Sequence, residues 1–314
     1  MSFSGWDDVF RVLAAAARDE PLLFVIDEFA ELHQAEPNIE STLRAVWEEV
    51  PADSKPRVLL TGSAVRAMEA LQTERAPLFG RATLRLHLRP FTPGESALML
   101  RGLVPAERAK AWGVCGGTPY YLDLWDNSAT FQANLQRLVC TEHGLLLNEG
   151  ELVLATEDFA GGRRERLPEQ VMRAIATSHT SFSEEGFSDF MGQRWEEAFR
   201  RHLAEVAQED DRLRPVAGIG EFWMPGTQGD KDPCELDAVV LTGRARTVSL
   251  VGEAKWAEKA SGARLLRGLE RKALESGLPL SGELVYALCA REQVTHLPEG
   301  RDDIIVVTAA DIFG

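Results

Sequence analysis

The chain has 314 residues, 45% of them hydrophobic and 26% charged, which is typical of a folded globular protein and excludes collagen, coiled-coil and disordered chains. Its 49 acidic and 34 basic side chains give a formal net charge of −15, so nucleic acid can bind only at a local basic patch. The four cysteines are widely spaced and no stretch reaches about 18 apolar residues, so we expect a reducing, cytoplasmic setting with no membrane span.

Helices and apolar strands alternate in residues 1–93, which predicts an α/β domain. Residues 6–18 have the periodicity of an amphipathic helix, and the continuous apolar run 22–26 predicts a parallel strand buried on both faces. A helix and two further strands are predicted at about 39–49, 58–60 and 83–88. Because strands alternate with helices, we expect right-handed crossovers and a parallel sheet.

The remainder of the chain divides into three stretches. Residues 94–160 are predicted to form a helical subdomain appended to the first sheet, and 161–186 a linker with one short helix at 168–176. From residue 187 to 314 the order is helix, three strands, helix and two strands, which indicates a second α/β domain. These elements are expected at about 187–207, 216–223, 235–241, 247–254, 262–276, 283–289 and 303–308.

Acidic and polar side chains follow two neighbouring strands of the first sheet. Asp27 and Glu28 come directly after the strand at 22–26, and Ser63 follows the next one. Ligands bind at the carboxyl ends of strands in open α/β sheets. In a nucleotide hydrolase the first acid would hold Mg²⁺, the second would orient the attacking water, and Ser63 would sense the γ-phosphate. The alternative is a pair of acids that cap the turn after a strand.

The segments LLFVIDEFAEL, RVLLTGSA, APLFGR, RPFTPGES and CGGTPYYLDLW resemble, in this order, the archaeal-type ATPase family of the AAA+/STAND kind. The resemblance covers about residues 6–130 and implies a P-loop NTPase-like sheet with a helical subdomain. It implies that Asp27 and Glu28 are the Walker B acids. It also places Ser63 at the sensor position and Arg81 at the family's arginine.

The phosphate-binding loop of that family, G-x-x-x-x-G-K-[ST], has no counterpart, because the chain contains no Gly-Lys dipeptide. Without it there are neither backbone N–H groups nor a lysine to hold the phosphates. We therefore expect ATP to bind only if a missing N-terminal segment is supplied. We also expect a protein partner to cover the edge of the truncated sheet.

Three charged residues emerge from two apolar strands of the second α/β region. Asp237 lies in ELDAVV, and Glu253 and Lys255 lie two apart in GEAKW, so the latter two share one face of a strand. Two carboxylates can hold Mg²⁺ or Mn²⁺, and a lysine can position the attacking water or stabilise pentavalent charge. The pattern predicts metal-dependent phosphodiester cleavage. Glu196 on the preceding helix is a candidate fourth member, with Glu197 as the more exposed alternative. A chance pattern on a surface strand is the competing interpretation.

The segments GQRWEEAF, ELDAVV, GEAKW and LLRGLERKA resemble the PD-(D/E)XK nuclease superfamily across about 187–290. More narrowly they resemble DUF234, the domain at the C-terminus of archaeal-type ATPases. The resemblance implies Asp237 and Glu253 as core acids and Lys255 as the catalytic lysine. It further implies Glu196 as the helix acid and Lys272 as a later helix lysine. The winged helix usual between the two domains has room only for a remnant, within 161–186.

Basic and aromatic residues near this motif suggest a nucleic-acid contact. Arg264, Arg267 and Arg271 share one helix face and, with Lys272, can bind phosphates; the alternative is a solvated face with i,i+4 ion pairs. Trp223 and Trp256 can stack a base, although we expect core packing for both.

Two functions are consistent with these patterns. The first is a Mg²⁺- or Mn²⁺-dependent nuclease-like protein that acts on DNA or RNA and carries an incomplete ATPase domain. The second is a catalytically inactive regulatory or ATP-binding STAND-type interaction protein, which the charge of −15 and the missing phosphate loop favour.

Overall fold

The computed structural model describes residues 3–18, 20–50, 56–139, 146, 184–225 and 233–314. The contacts divide the chain into two units, Met1–Leu88 and Arg89–Gly314. No helix in the described ranges has the length and apolarity needed to cross a bilayer. Most of the predicted linker and winged-helix remnant at 161–186, with its short helix at 168–176, lies outside the described residues, and 184–186 already belong to a helix.

The first unit contains a parallel pair of strands with helices on one face. Its described elements are α1 (Trp6–Ala16), β1 (Leu22–Ile26), α2 (Phe29–Ala35), α3 (Ile39–Glu49), β2 (Pro56–Leu60) and α4 (Val65–Ala70). β1 and β2 pair in register from Leu22 opposite Pro56 to Ile26 opposite Leu60. Phe24 and Val58 point to the face covered by Phe10 of α1 and Leu43 of α3. The predicted helix–strand order and parallel pairing are confirmed.

Two expectations for the first unit are wrong. The strand at 22–26 is buried on one face only, because Leu23 and Val25 are 58% and 48% exposed on the face away from α1 and α3. Residues 83–88 are not a strand, since they form no ladder with any described residue. Their alternating leucines, Leu84, Leu86 and Leu88, are exposed instead of packed. Apolar alternation indicates a strand only where a neighbouring strand supplies hydrogen bonds.

The second unit contains a five-stranded mixed sheet between helices. Its described elements are α5 (Pro93–Ala97), α6 (Pro105–Cys115), α7 (Pro119–Asp123), α8 (Phe131–Leu138), α9 (Glu184–Glu209), β3 (Val216–Met224), β4 (Cys234–Thr242), β5 (Thr247–Lys255), β6 (Lys259–Ser261), α10 (Gly262–Glu275), β7 (Leu280–Ala290), β8 (Gln293–Thr295), β9 (Ile304–Val307) and α11 (Ala309–Phe313). The sheet order is β3-β4-β5-β7-β9, and β6 pairs with β8 separately. The first two pairings are antiparallel and the last two parallel.

Each face of this sheet is covered by one long helix. Trp195 and Phe199 of α9 pack with Leu250 on one face, while Leu266 and Leu269 of α10 pack on the opposite face. Gly252 of β5 leaves room for the ring of Phe199, because a Cβ atom there would lie 2.8 Å from Phe199 Cε1. The alternation of apolar side chains along β4 and β5 therefore fills two cores.

The helices α5 to α8 belong to the second unit and not, as predicted, to the first sheet. Residues of α5 and α6 enter the core of the second sheet, while α7 and α8 pack in a neighbouring apolar cluster. Trp112 of α6 belongs to the same buried cluster as Trp195, and its ring lies 6.1 Å from that of Phe313. Arg108 Nη1 donates to the Phe313 carbonyl at 2.6 Å, and Arg194 Nε donates to the Gly113 carbonyl at 3.2 Å. Contacts between residues about 80 to 200 positions apart decide this grouping, which no local pattern reports.

Gly117→Ala is expected to destabilise the second unit by about 2 kcal/mol or more. Gly117 has a φ of +80°, and a Cβ atom there would lie 2.3 Å from the Phe91 carbonyl oxygen. Gly102→Ala is the matched control, because Gly102 has a φ of +86° with no atom near the Cβ position. We expect it to cost only about 1 kcal/mol. Urea unfolding measures both, and equal losses would contradict the role of the Phe91 contact.

Candidate active site

The sheet topology brings Asp237, Glu253 and Lys255 to one end of the second sheet. β4 and β5 are antiparallel, with Ala238 opposite Gly252, so the start of β4 meets the end of β5. A β-bulge between β3 and β4 lies beside Asp237 at this point. Phe222 pairs with Leu236 and Gly220 with Val239, so two residues of β4 lie opposite Glu221 alone. Bulges of this kind redirect side chains and are frequent beside active sites.

Asp237 is a nearly buried carboxylate held by the backbone. Its Oδ2 accepts a hydrogen bond from the Ala254 N–H at 2.8 Å and lies 4.0 Å from Lys255 Nζ. Burial disfavours its charged form, and Glu253 adds to this by repulsion, so the pKa of Asp237 is raised to about 6. The neighbouring lysines oppose this increase only in part.

Glu253 lies between two ammonium groups. Its Oε1 is 2.7 Å from Lys255 Nζ, and its Oε2 is 2.6 Å from Lys272 Nζ on α10. Burial opposes the charge of Lys255, but its hydrogen bond to Glu253 and the neighbouring carboxylates prevail and raise the pKa of Lys255. Lys272 was predicted among the nucleic-acid contacts, whereas its ammonium binds Glu253 in the structure.

Glu196 of α9 borders the same site. Burial, followed by repulsion from Asp237, raises its pKa to about 7, and Lys255 acts in the opposite direction. The alternative, Glu197, is bound instead by Arg194 and by Arg201, whose Nη2 donates at 2.7 Å. The structure therefore brings Glu196, and not Glu197, into electrostatic contact with Asp237.

Arg200 and Glu221 also belong to the site, although neither was predicted from the sequence. Arg200 Nη1 donates to the Asp237 carbonyl at 2.8 Å, and its Nη2 lies 3.1 Å from Glu221 Oε2. Arg200 follows Glu196 by four residues, so their shared helix face was readable from the sequence. Glu221 had no such signal, because its position depends on the bulge in β4.

The donor set at this site has two acids at its centre. No group of three or more metal-ligating side chains occurs among the described residues. Mg²⁺ can bind through one or two protein carboxylates while it keeps several waters. Asp237 and Glu253 match that requirement in number and chemistry, although a cation would have to compete with the two lysines for Glu253.

The arginine face of α10, the helix that also carries Lys272, is exposed. Arg264, Arg267 and Arg271 are all solvent-accessible. Arg271 forms an i,i+4 ion pair with Glu275 at 3.2 Å, as the solvated-face interpretation expects. Arg264 and Arg267 have no carboxylate partner in the described part of the chain. Two of the three guanidinium groups thus remain available for an anion.

The two tryptophans differ. Trp256 packs at 5.5 Å against Trp195, and the guanidinium of Arg291 lies 4.9 Å from its ring, so the expected core role is confirmed. Trp223 is 61% exposed, so the expectation that it packs in the core is wrong. It lies on β3, which is the first strand of the sheet order β3-β4-β5-β7-β9 among the described residues.

In the first unit, the residues after β1 and β2 meet as the parallel pairing requires. Asp27 Oδ1 accepts from the Thr61 hydroxyl, and Glu28 Oε2 accepts from both the N–H and the hydroxyl of Ser63 at 3.2 Å. Glu28 has a left-handed backbone with φ of +48°. Arg81 instead forms an ion pair with Glu48, so its described contacts are away from the two acids.

Comparison with known proteins identifies part of the second unit. Residues 164–266 match the family model DUF234, described as archaea bacterial proteins of unknown function. This range contains Glu196, Asp237, Glu253 and Lys255 and ends before Lys272. The chain is 26% identical over 127 residues to the uncharacterized protein MJECL04 of Methanocaldococcus jannaschii, which covers 38% of this chain and 28% of that protein. The DUF234 resemblance is thus confirmed, and it carries no assigned activity.

Proposed function

We propose that the second unit is a metal-dependent phosphodiester-cleaving domain of the PD-(D/E)XK type that acts on DNA or RNA. The observation that carries this proposal is the meeting of Asp237, Glu253 and Lys255 at one end of the sheet. Their order along the chain, two acids followed by a lysine after a helix acid, is the order of that superfamily. The exposed arginines of α10, the helix whose Lys272 binds Glu253, support a phosphate-containing substrate.

Mg²⁺ or Mn²⁺ would be held by Asp237 and Glu253. Two nearly buried carboxylates that repel each other favour a cation, as the raised pKa of Asp237 indicates. When bound, such an ion would lower the pKa of its water and offset the charge of the phosphate. Oxygen ligands suit both ions.

The protein groups have separate roles in this proposal. Lys255 Nζ keeps its proton near neutral pH and would stabilise negative charge on the phosphate or orient the attacking water. Glu196 has a pKa of about 7, which suits a carboxylate that accepts a proton from water. Arg200 positions the Asp237 backbone, and Lys272 orients Glu253.

For the first unit we propose an incomplete ATPase core that requires a further segment or a protein partner. The exposed apolar face formed by Leu23, Val25 and Leu59 supports a missing cover. ATP would bind only after that addition, because the chain lacks the Gly-Lys of a phosphate-binding loop.

A non-catalytic regulatory protein is the second candidate. The observation that favours it is the double ion pair of Glu253, whose two oxygens both contact lysines. Such a site balances its charge without a metal ion. Loss of both activities from two retained folds would leave an interaction protein of the STAND kind.

Cleavage assays with the Lys255→Ala variant test the first candidate. We expect the wild type to cut single- or double-stranded DNA or RNA with Mg²⁺ or Mn²⁺, and Lys255→Ala to lose about 100-fold or more. Lys110→Ala is the matched control, since the described contacts of Lys110 are with Glu107 and with the ring of Phe131, away from the site. Equal background rates for wild type and Lys255→Ala would reject the nuclease proposal and favour the non-catalytic one.

A further inference from the structure

Trp223 is a large aromatic side chain of the second unit that is exposed instead of packed in the core. It is 61% exposed on the edge strand β3, whose neighbour Phe222 packs in the core beside α10. Because side chains alternate along a strand, the Trp223 ring lies on the opposite face, the side of α9. Glu221, two residues earlier, lies on that side too, since it pairs with Arg200 of α9.

Trp223 also lies at the same end of the sheet as the site acids. It pairs with Glu235, two residues before Asp237 on β4. Strand spacing places its Cα atom about 8 Å from that of Asp237. Among the described strands β3 pairs with β4 alone, so the ring flanks the site at this edge of the sheet.

The charges around Trp223 determine which part of a nucleic acid can contact the ring. Glu235, directly across the strand pair from Trp223, is an exposed acid, whereas the charge of Glu221 is offset by Arg200. The Glu235 carboxylate therefore repels a phosphate group from this position. An uncharged base is not repelled, and every base has a face that can stack on indole. A duplex hides those faces within its own stack. The phosphates of the same strand would lie toward Lys255.

We propose that Trp223 stacks on an unpaired base, so that the substrate of this site is a single strand or an unpaired end of DNA or RNA. The inference rests on the proposed function for the position of the scissile phosphate. It adds a residue outside the acid–lysine motif that selects single strands over duplexes.

Binding in EDTA, where no cleavage occurs, tests the role of Trp223 separately from catalysis. Fluorescence anisotropy would compare full-length wild type, Trp223→Ala and Trp223→Phe on a labelled single-stranded DNA, the same sequence as RNA, and its duplex. Tyr120→Ala is the matched control, because Tyr120 is an exposed aromatic on α7. Thermal melting of each variant checks that the fold is retained.

We expect the wild type to bind a single strand more tightly than the duplex, and Trp223→Ala to weaken that binding about 10-fold. Trp223→Phe should retain most of the affinity, and Tyr120→Ala all of it. Wild-type affinity in Trp223→Ala, an equal loss in Tyr120→Ala, or no binding of single strands by the wild type would overturn the inference. Binding that depends on Trp223 without cleavage would uphold it while rejecting the nuclease proposal. Cleavage with binding independent of Trp223 would do the reverse.

Discussion

Asp237→Asn is expected to abolish metal-dependent cleavage and to stabilise the metal-free protein. In the folded state burial and Glu253 raise the pKa of Asp237 to about 6, against an ordinary value of 3.8. Its ionised form therefore costs about 1–3 kcal/mol of stability at neutral pH. Asparagine has nearly the same shape, carries no charge, and keeps an oxygen that can accept from the Ala254 N–H.

The pH dependence follows from the same shift. The folded state binds a proton on Asp237 below about pH 6, whereas the unfolded chain does so only below about pH 4. Stability from this residue therefore rises as the pH falls from 7 to 4, which is opposite to the usual behaviour of a salt-bridged aspartate. Urea unfolding at several pH values should show this gain in the wild type and not in Asp237→Asn. Asp211→Asn, at a fully solvated position, is the control and should change stability by less than about 0.5 kcal/mol.

Metal binding is tested by comparing the wild type with a double variant of the two acids in each unit. Mn²⁺ or Mg²⁺ at about 100 times its dissociation constant should stabilise the wild type by about 2.7 kcal/mol. That increase should vanish in Asp237→Asn/Glu253→Gln and persist in Asp27→Asn/Glu28→Gln. A melting shift that remains in the first double variant, or disappears in the second, would place the metal in the other unit.

Glu253→Gln is expected to have the opposite effect on stability and to destabilise the second unit by about 2–3 kcal/mol. Glu253 is the only acid in direct ion-pair distance of Lys272 among the described residues. Loss of the Glu253 charge leaves the partly buried Lys272 without an anion among the described residues. Lys255 retains Asp237, at 4.0 Å. The partial exposure of both lysines keeps the cost below that of a fully buried pair.

Lys272→Met in a double-variant cycle separates this charge effect from a packing defect. Methionine has a similar length and needs no anion, so Glu253→Gln/Lys272→Met should recover at least about 1 kcal/mol relative to additive behaviour. Urea unfolding of the wild type, both single variants and the double variant gives this coupling. Additive losses would show that Lys272 and Glu253 do not act as a pair.

The sequence by itself determined the two α/β regions and the residues of the candidate site. Apolar runs and periodicity located β1, β4, β5 and α10, because each element must bury a face that its own residues define. The two-residue spacing of Glu253 and Lys255 fixed their shared face, and antiparallel neighbours brought Asp237 to them.

Only the tertiary structure decided which element covers each face. The attachment of α6 to the second unit, the ion pair of Lys272 with Glu253 and the exposure of Trp223 all depend on residues far apart in the chain. Local periodicity shows that a face is apolar but not what packs against it. Residues 83–88 therefore have the pattern of a strand, although no described strand pairs with them. The bulge beside Asp237 has the same origin, because it arises from the register of two strands and not from the residues of one.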